Sequence, residues 1–372
     1  MRTGVLCAVV AVGAAVAATL AVASASKTAG GSAAADPAAA TVSAGPPLRS
    51  APPGVSPQAD VLAFFPRLTT ITAGQSVTFD LAGFHTVTFG NQNAFSLVVP
   101  FPKGVQPSLP DAASEPLWWA EHAPLLALNP RAFPQLGGAT ISTPSQVRSS
   151  GLLRVFTASP KHPPKPYTLT FTKPGLYRFF CIIHAGMHGA IRVLPSTATA
   201  PSAAQAAARV KAQLTKAISD VKSIQSGKPS ESLTVWVGTG KLDGAEVTSF
   251  FPKRLEVSPG DTVKFVQHDP TDIHTVTFGP DPYTGKIENT FVSPKGTVNP
   301  FGAFPSEAPS QPGAPVTYDG ANHGNGYVNS GILYPYTARQ APHLFRVTFT
   351  KSGVYHFECV IHTNMDGTIV VR

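Results

Sequence analysis

The feature that most constrains this chain is an internal repeat, because a repeated unit has to fold in the same way twice. Residues 64–90 begin with Phe-Phe-Pro and end with His-Thr-Val-Thr-Phe-Gly, and residues 250–279 begin and end with the same letters. Further along the chain, residues 169–193 match residues 347–371. The 372 residues are enough for two such domains. We therefore predict two copies of one domain.

Within each copy, apolar and polar residues alternate in short runs that begin after a glycine. The run Ser76 to Phe79 follows Gly74, and the run Thr262 to Phe265 follows Gly260. Such alternation predicts half-buried strands. Only 13% of the residues are charged, and 32 Gly and 37 Pro favour many turns over long helices. The pattern predicts an all-β fold with a β-sandwich in each copy.

The chain between the two copies, residues 196–230, has a different pattern. Apolar residues recur there at helical spacing, at Val210, Leu214, Ile218, Val221 and Ile224. Ser202 is placed to cap the start of a helix and Gly227 to end it. We predict an amphipathic connecting helix between a first domain at 58–195 and a second domain at 231–372, and packing without a functional role is its plainer interpretation.

The N-terminus has the pattern of an export signal. Arg2 is followed by an apolar run from Val5 to Ala25 that contains Ala-x-Ala sites, which predicts a cleaved signal at 1–26. A retained membrane anchor is the alternative, because the run is long enough to span a bilayer. Residues 27–57 are rich in Ala, Ser, Gly and Pro and are predicted to be a flexible tether. We expect an exported protein at the cell surface, in the periplasm or outside the cell.

The charge balance is basic, with a formal charge of +8 and a pI near 9.4. An exported basic protein seldom meets nucleic acid, so we expect no nucleic-acid partner. Two interpretations stay open: solubility with attraction to anionic cell-surface polymers, and steering toward an acidic redox partner protein.

The residues that carry chemistry are rare residue types in one motif. Outside the N-terminal 26 residues, the chain has two cysteines and two methionines, and all four lie in Cys-x2-His-x2-Met. Together with the histidine that ends each early repeat segment, the motif gives two equivalent candidate metal-ligand sets. These sets are His85, Cys181, His184 and Met187, and His274, Cys359, His362 and Met365. A thiolate, two imidazoles and a weak thioether suit a copper ion that cycles between two oxidation states.

Two plainer interpretations of these residues remain. Cys181 and Cys359 could form a disulfide in an oxidising compartment, and the histidines and methionines could be ordinary buried residues. Neither explains why His and Met follow each cysteine at the same spacing in both copies.

The motif resembles that of the cupredoxins, the blue copper proteins that include plastocyanin, pseudoazurin and amicyanin. The short Cys-x2-His-x2-Met loop is most similar to amicyanin, and Tyr177-x-Phe179-x-Cys181 is similar to the strand before the family's cysteine. The resemblance implies two tandem Greek-key sandwiches, each with one type 1 copper on the four residues named above. Thr86 and Thr275 stand where many members have Asn, and we expect their hydroxyls to fasten the ligand loops in its place.

Two long insertions depart from a compact member of the family. They cover about residues 91–165 and 280–343, and the first contains Trp118 and Trp119. A packed cap, a docking surface and a shielding lid are all compatible with such loops.

Three functions compete for such a chain. The resemblance implies an electron carrier between redox partner proteins, with no organic substrate. A copper storage or delivery protein is the alternative, although the Met-rich or His-rich runs of such proteins are missing. Copper oxidases and nitrite reductases place a histidine beside the cysteine and carry His-x-His pairs, whereas Phe180 and Glu358 stand here. On that ground we expect no enzymatic activity.

Overall fold

The part of the chain that the structure describes covers most of both predicted domains. The computed structural model describes residues 40–47, 52–81, 83–91, 97–152, 165–242, 244–308, 311, 313–338 and 341–372. The predicted export signal at 1–26 lies outside these residues, as do residues 27–39 and 48–51 of the predicted tether. No helix within the described residues is long and apolar enough to cross a membrane.

Two five-stranded sheets form the first β-sandwich. Alternate residues of its strands face the core, and Val77, Phe79 and Leu81 of one central strand are buried while their neighbours are not. In spatial order the first sheet contains β3 (Phe64–Phe65), β1 (Ala40–Ala44), β5 (Ser76–Leu81), β11 (Tyr167–Phe171) and β9 (Thr140–Ile141). The second contains β10 (Arg148–Ser149), β6 (Thr88–Phe89), β12 (Gly175–Phe180), β13 (His188–Leu194) and β4 (Leu68–Thr72).

The second β-sandwich repeats this arrangement with one additional strand. Its six-stranded sheet contains β19 (Val316–Tyr318), β21 (Leu344–Phe349), β17 (Thr262–Gln267), β14 (Thr234–Lys241), β15 (Ala245–Phe251) and β2 (Ala59–Asp60). Its five-stranded sheet contains β16 (Arg254–Val257), β23 (Asp366–Val371), β22 (Gly353–Glu358), β18 (Thr277–Phe278) and β20 (Val328–Asn329). The predicted all-β fold with two sandwiches is confirmed.

Strand β1 corrects the predicted extent of the tether. Residues 40–44 pair in parallel with β5 and antiparallel with β3, and Val42 and Ala44 are fully buried. Strand β14 takes the equivalent position between β17 and β15 in the second sandwich. These residues form a strand because they complete a sheet and its core, which local composition does not reveal.

The connecting helix, α1 (Ala203–Ile224), forms where its periodicity predicts. The Ser202 side chain accepts a hydrogen bond from the backbone N–H of Gln205, and the Gln205 side chain accepts one from the N–H of Ser202, which is a capping box. Its buried face packs against Phe65 of the first sandwich and Val247 of the second. Strand β2 also pairs with β15, so the chain crosses between the sandwiches at more than one point.

The two insertions pack on each other. The first contains the hairpin of β7 (Val98–Val105) and β8 (Pro124–Leu128), and the second contains α2 (Asp281–Asn289) and α3 (Pro300–Ala303). Short 3-10 turns occur at Pro130–Ala132 and Asn322–Gly324. Trp119 of the first insertion is fully buried, with its ring 5.3 Å from that of Phe301 and 5.9 Å from that of Phe304 in the second. The insertions therefore form a packed interface between the sandwiches.

Candidate metal centres

The first candidate centre, called site 1, consists of His85, Cys181, His184 and Met187. His85 lies just before β6, whereas the other three lie in the loop between β12 and β13, and pairing of β6 with β12 brings the two segments together. Nδ1 of His184 lies 3.1 Å from Nδ1 of His85 and 3.8 Å from Sγ of Cys181. Met187 is 1% exposed and belongs to the same core cluster as Cys181.

The second centre, site 2, consists of His274, Cys359, His362 and Met365 and is built in the same way. Its loop lies between β22 and β23, and β18 pairs with β22. Sγ of Cys359 lies 3.9 Å from Nδ1 of His274 and 3.6 Å from Nδ1 of His362. Met365 is 1% exposed and shares a core cluster with Cys359. The structure thus brings each predicted set of residues together in a separate core.

Hydrogen bonds fix the ligand loops in the same way in both sites. The backbone N–H of Cys181 donates to the carbonyl of Met187, and that of Cys359 donates to the carbonyl of Met365, each at 2.9 Å. The backbone N–H of Thr86 donates to Sγ of Cys181 at 3.4 Å, as that of Thr275 does to Cys359 at 3.3 Å. Such donors stabilise a sulfur that carries negative charge.

The two threonines fasten the loops as expected. The hydroxyl of Thr86 accepts a hydrogen bond from the N–H of Ile182 at 3.0 Å, and that of Thr275 accepts one from Val360 at 2.9 Å. Each bond joins the segment of the first histidine to the loop of the cysteine. The threonine is buried in both places, so its hydroxyl acts in a region without competing water.

Both cysteines favour the thiolate form. Burial by itself raises the pKa of Cys181, but hydrogen bonds with His184 and His85 outweigh burial and hold the pKa well below its usual value. Burial is likewise outweighed at Cys359 by hydrogen bonds with His274 and His362. The thiolate is the form of cysteine that binds metal ions.

The residues of both sites fit a copper ion. The three nitrogen and sulfur atoms of each His, Cys, His group lie within 4.8 Å of one another. Both cysteines are free and lie in separate cores, so they do not form the disulfide that we considered. Two imidazoles and one thiolate, with a thioether in the same core, are the donors expected for blue copper.

The space between the sites contains acidic residues that the sequence analysis missed. Oδ2 of Asp272 lies 3.1 Å from Nε2 of His362 and 3.8 Å from Nε2 of His184. Oδ2 of Asp269 lies 3.3 Å from Nε2 of His274, and neither side chain of this pair is exposed. Glu246 completes a further group of potential ligand atoms with His184 and Asp272.

A difference between the repeats could have drawn attention to these acids. Six positions separate Phe79 from His85, but nine separate Phe265 from His274. The longer segment contains Asp269 and Asp272, which have no counterpart in the first repeat.

Charge in this region affects the pKa of the histidines. Burial lowers the pKa of His184, but the Cys181 thiolate and the Asp272 carboxylate raise it to about 10. At His274, Asp269 and Cys359 outweigh burial and raise the pKa to about 9. Carboxylates therefore lie against Nε2 of His184 in site 1 and of both His274 and His362 in site 2.

Comparison with known proteins finds similar solved structures but no matching sequence. The chain matches no family model and no curated protein sequence. Solved structures similar to it include oxidised plastocyanin from Dryopteris crassirhizoma, with 18% identity over 37% of this chain and 99% of that chain and a TM-score of 0.20. The two β-sandwiches and their His, Cys, His groups are consistent with cupredoxin-like domains, while the amicyanin-like subtype stays a prediction.

Two further similar structures extend over both sandwiches and are of named copper enzymes. A Cu-containing nitrite reductase from Thermus scotoductus matches 82% of this chain and 59% of that chain at 15% identity and a TM-score of 0.19. A blue copper oxidase from Nitrosomonas europaea matches 89% of this chain and 85% of that chain at 10% identity and a TM-score of 0.19.

These matches correct the expectation that the chain has no enzymatic activity. That expectation relied on missing histidine motifs, and it was wrong to exclude an enzyme on that ground. A further group of potential metal ligands does not require such motifs, because the fold brings His184, Glu246 and Asp272 together from distant segments. The matches assign neither named activity to this chain.

Proposed function

We propose that the chain is an exported blue copper protein that carries single electrons between redox partner proteins, with one type 1 copper in site 1 and one in site 2. The observation that carries this proposal is the occurrence of the same buried His, Cys, His group with an adjacent Met in both sandwiches. When bound, copper supplies one-electron chemistry by alternating between two oxidation states.

The protein's own residues suit this role by holding a fixed geometry. The hydroxyls of Thr86 and Thr275 join the ligand segments, and the backbone N–H groups of these residues donate to the sulfurs. Cys181 and Cys359 are 3% and 1% exposed, so water has little access to the sulfurs. A rigid and dry site favours electron transfer because little rearrangement accompanies a change of charge.

Export and partner choice belong to the same proposal. The signal-like N-terminus supports a location outside the cytoplasm, and the net charge of +8 is compatible with an acidic partner protein. His184 and His362 are only 6% and 9% exposed and face Asp272, which favours electron entry at another surface.

Repeated redox cycling in the presence of a Cu(I) chelator tests this proposal against copper storage. We expect the copper-loaded chain to pass through many cycles with one-electron reagents and to keep its copper. Transfer of the copper to the chelator on reduction would contradict an electron carrier and support storage or delivery. The control is Cys181→Ser, which should lose cycling at site 1 alone.

A further inference from the structure

Both copper sites share one carboxylate. Asp272 lies in the segment Asp269 to His274, which we call the acidic segment. Its Oδ2 atom contacts Nε2 of His362 in its own sandwich and Nε2 of His184 in the other sandwich. In each site Nδ1 faces the sulfur, so Nε2 is the outer nitrogen of the ring.

The acidic segment is held firmly against site 1 as well as site 2. The backbone N–H of Ala185, the residue after His184, donates to the carbonyl of Thr271 at 2.9 Å. The Thr271 hydroxyl and backbone N–H both contact Oδ1 of Asp269, at 2.5 and 2.8 Å. The hydroxyl also lies 2.9 Å from Oε2 of Glu246. Asp272 is therefore positioned by contacts on both sides of the boundary between the sandwiches.

The geometry allows one negative charge to act on two metal ions. The side chain of Asp272 is 12% exposed, and those of His184 and His362 are 7% and 10% exposed. In such a poorly solvated region a charge acts more strongly than it does in water. The two Nε2 atoms are at most 6.9 Å apart, which is the limit when 3.1 Å and 3.8 Å lie end to end.

We propose that Asp272 is a shared positioning residue that couples the two sites into one redox unit, in which they exchange electrons with each other across the boundary between the sandwiches. This rests on the proposed function of the same sites. In the exchange, one electron leaves the reduced ion of one site and reaches the oxidised ion of the other. One site is oxidised as the other is reduced, and the Nε2 protons stay on their rings.

The sites differ in the rest of their surroundings, which provides matched control variants. Among the four candidate ligand histidines, Asp269 contacts His274 alone, whereas Nε2 of His85 is buried without a hydrogen-bond partner among the described residues. Asp80 is an exposed acid on β5. We therefore expect D272N to affect both sites, D269N to affect site 2 alone, and D80N to affect neither.

The first test measures the reduction potential of each site separately in the full chain. Cys359→Ser leaves site 1 as the blue centre, and Cys181→Ser leaves site 2. Loss of a nearby negative charge favours the reduced ion. D272N should therefore raise both potentials by at least 59 mV, which is a tenfold change in the ratio of reduced to oxidised ion. A shift in site 2 alone, or in neither site, would overturn the proposal.

A second measurement uses the chain with both cysteines intact, in case a serine variant fails to fold. Pulsed electron paramagnetic resonance detects the outer nitrogen of a metal-bound imidazole. D272N should change the signal of one outer nitrogen in each site, and D269N should change one in site 2 alone. Unchanged signals in D272N would contradict contact of Asp272 with the two rings.

Electron exchange itself is tested by fast reduction with less than one electron per chain. We expect redistribution between the two blue signals at a rate independent of protein concentration, and at least tenfold slower in D272N. A rate proportional to protein concentration would mean exchange between molecules and would overturn the proposal.

Metal analysis of the same samples separates the remaining outcomes. If the chain forms no blue sites, both the proposed function and the coupling fail. If both blue sites form and D272N changes nothing, only the coupling fails. A third metal ion that D272N removes would make Asp272 a metal ligand, with His184 and Glu246 beside it, and would also overturn the coupling.

Discussion

Replacement of Trp119 by alanine tests whether the insertions hold the two sandwiches together. The Trp119 ring is fully buried and packs on Phe301 and Phe304 of the other insertion. Removing a buried aromatic side chain of this size costs about 3 to 5 kcal/mol, since it leaves a cavity. For a domain of this size that loss corresponds to a decrease of about 10 °C in the unfolding temperature. Scanning calorimetry of the first unfolding transition measures it.

The adjacent Trp118 is the matched control. It is 40% exposed and donates one hydrogen bond to the carbonyl of Pro305, so W118A should cost about 1 kcal/mol. W119F should cost less than half as much as W119A, because the indole N–H of Trp119 is buried without an acceptor among the described residues. Equal and small shifts for W118A and W119A would refute a packed interface between the insertions.

Three further predictions concern the hydrogen bonds and charges around the sites. Thr86→Val should lower stability by about 1 to 3 kcal/mol in denaturant unfolding, because the N–H of Ile182 loses its acceptor, whereas Thr86→Ser should not. Site 2 should have the lower reduction potential, because Asp269 lies against His274; a redox titration of the Cys→Ser variants that gives the reverse order would contradict this. The carboxylates of Glu307 and Asp111 raise the pKa of His323. The stabilisation from these two ion pairs should therefore be complete below about pH 6.5, the ordinary pKa of histidine, and be lost as the pH rises through the raised pKa. His323→Gln should abolish this pH dependence in thermal unfolding.

The candidate sites could be predicted from the sequence because the two copies of the repeat can be compared with each other. Cysteine and methionine are rare here, and their equal spacing to histidine in both copies singles out the residues that the structure brings together. The connecting helix was also predictable, since its apolar spacing and its capping serine are local signals. Local signals suffice where neighbouring residues determine the structure.

Other features depend on contacts between distant segments and could not be predicted in this way. Strand β1 has a composition typical of a tether, and only its pairing with β3 and β5 makes it a strand. The insertions contain few repeated residues, so their packing around Trp119 was not visible. The role of Asp272 depends on its contact with His184, which lies 88 positions earlier in the chain and in the other sandwich.

Copper titration of the purified chain, followed by visible absorption and electron paramagnetic resonance, tests the central claim most directly. Two coppers per chain should bind, with an intense blue thiolate band that disappears reversibly on reduction. Cys181→Ser and Cys359→Ser should each remove one blue copper and leave the other. Colourless binding, or a blue band that survives both substitutions together, would contradict two copper sites built on these cysteines.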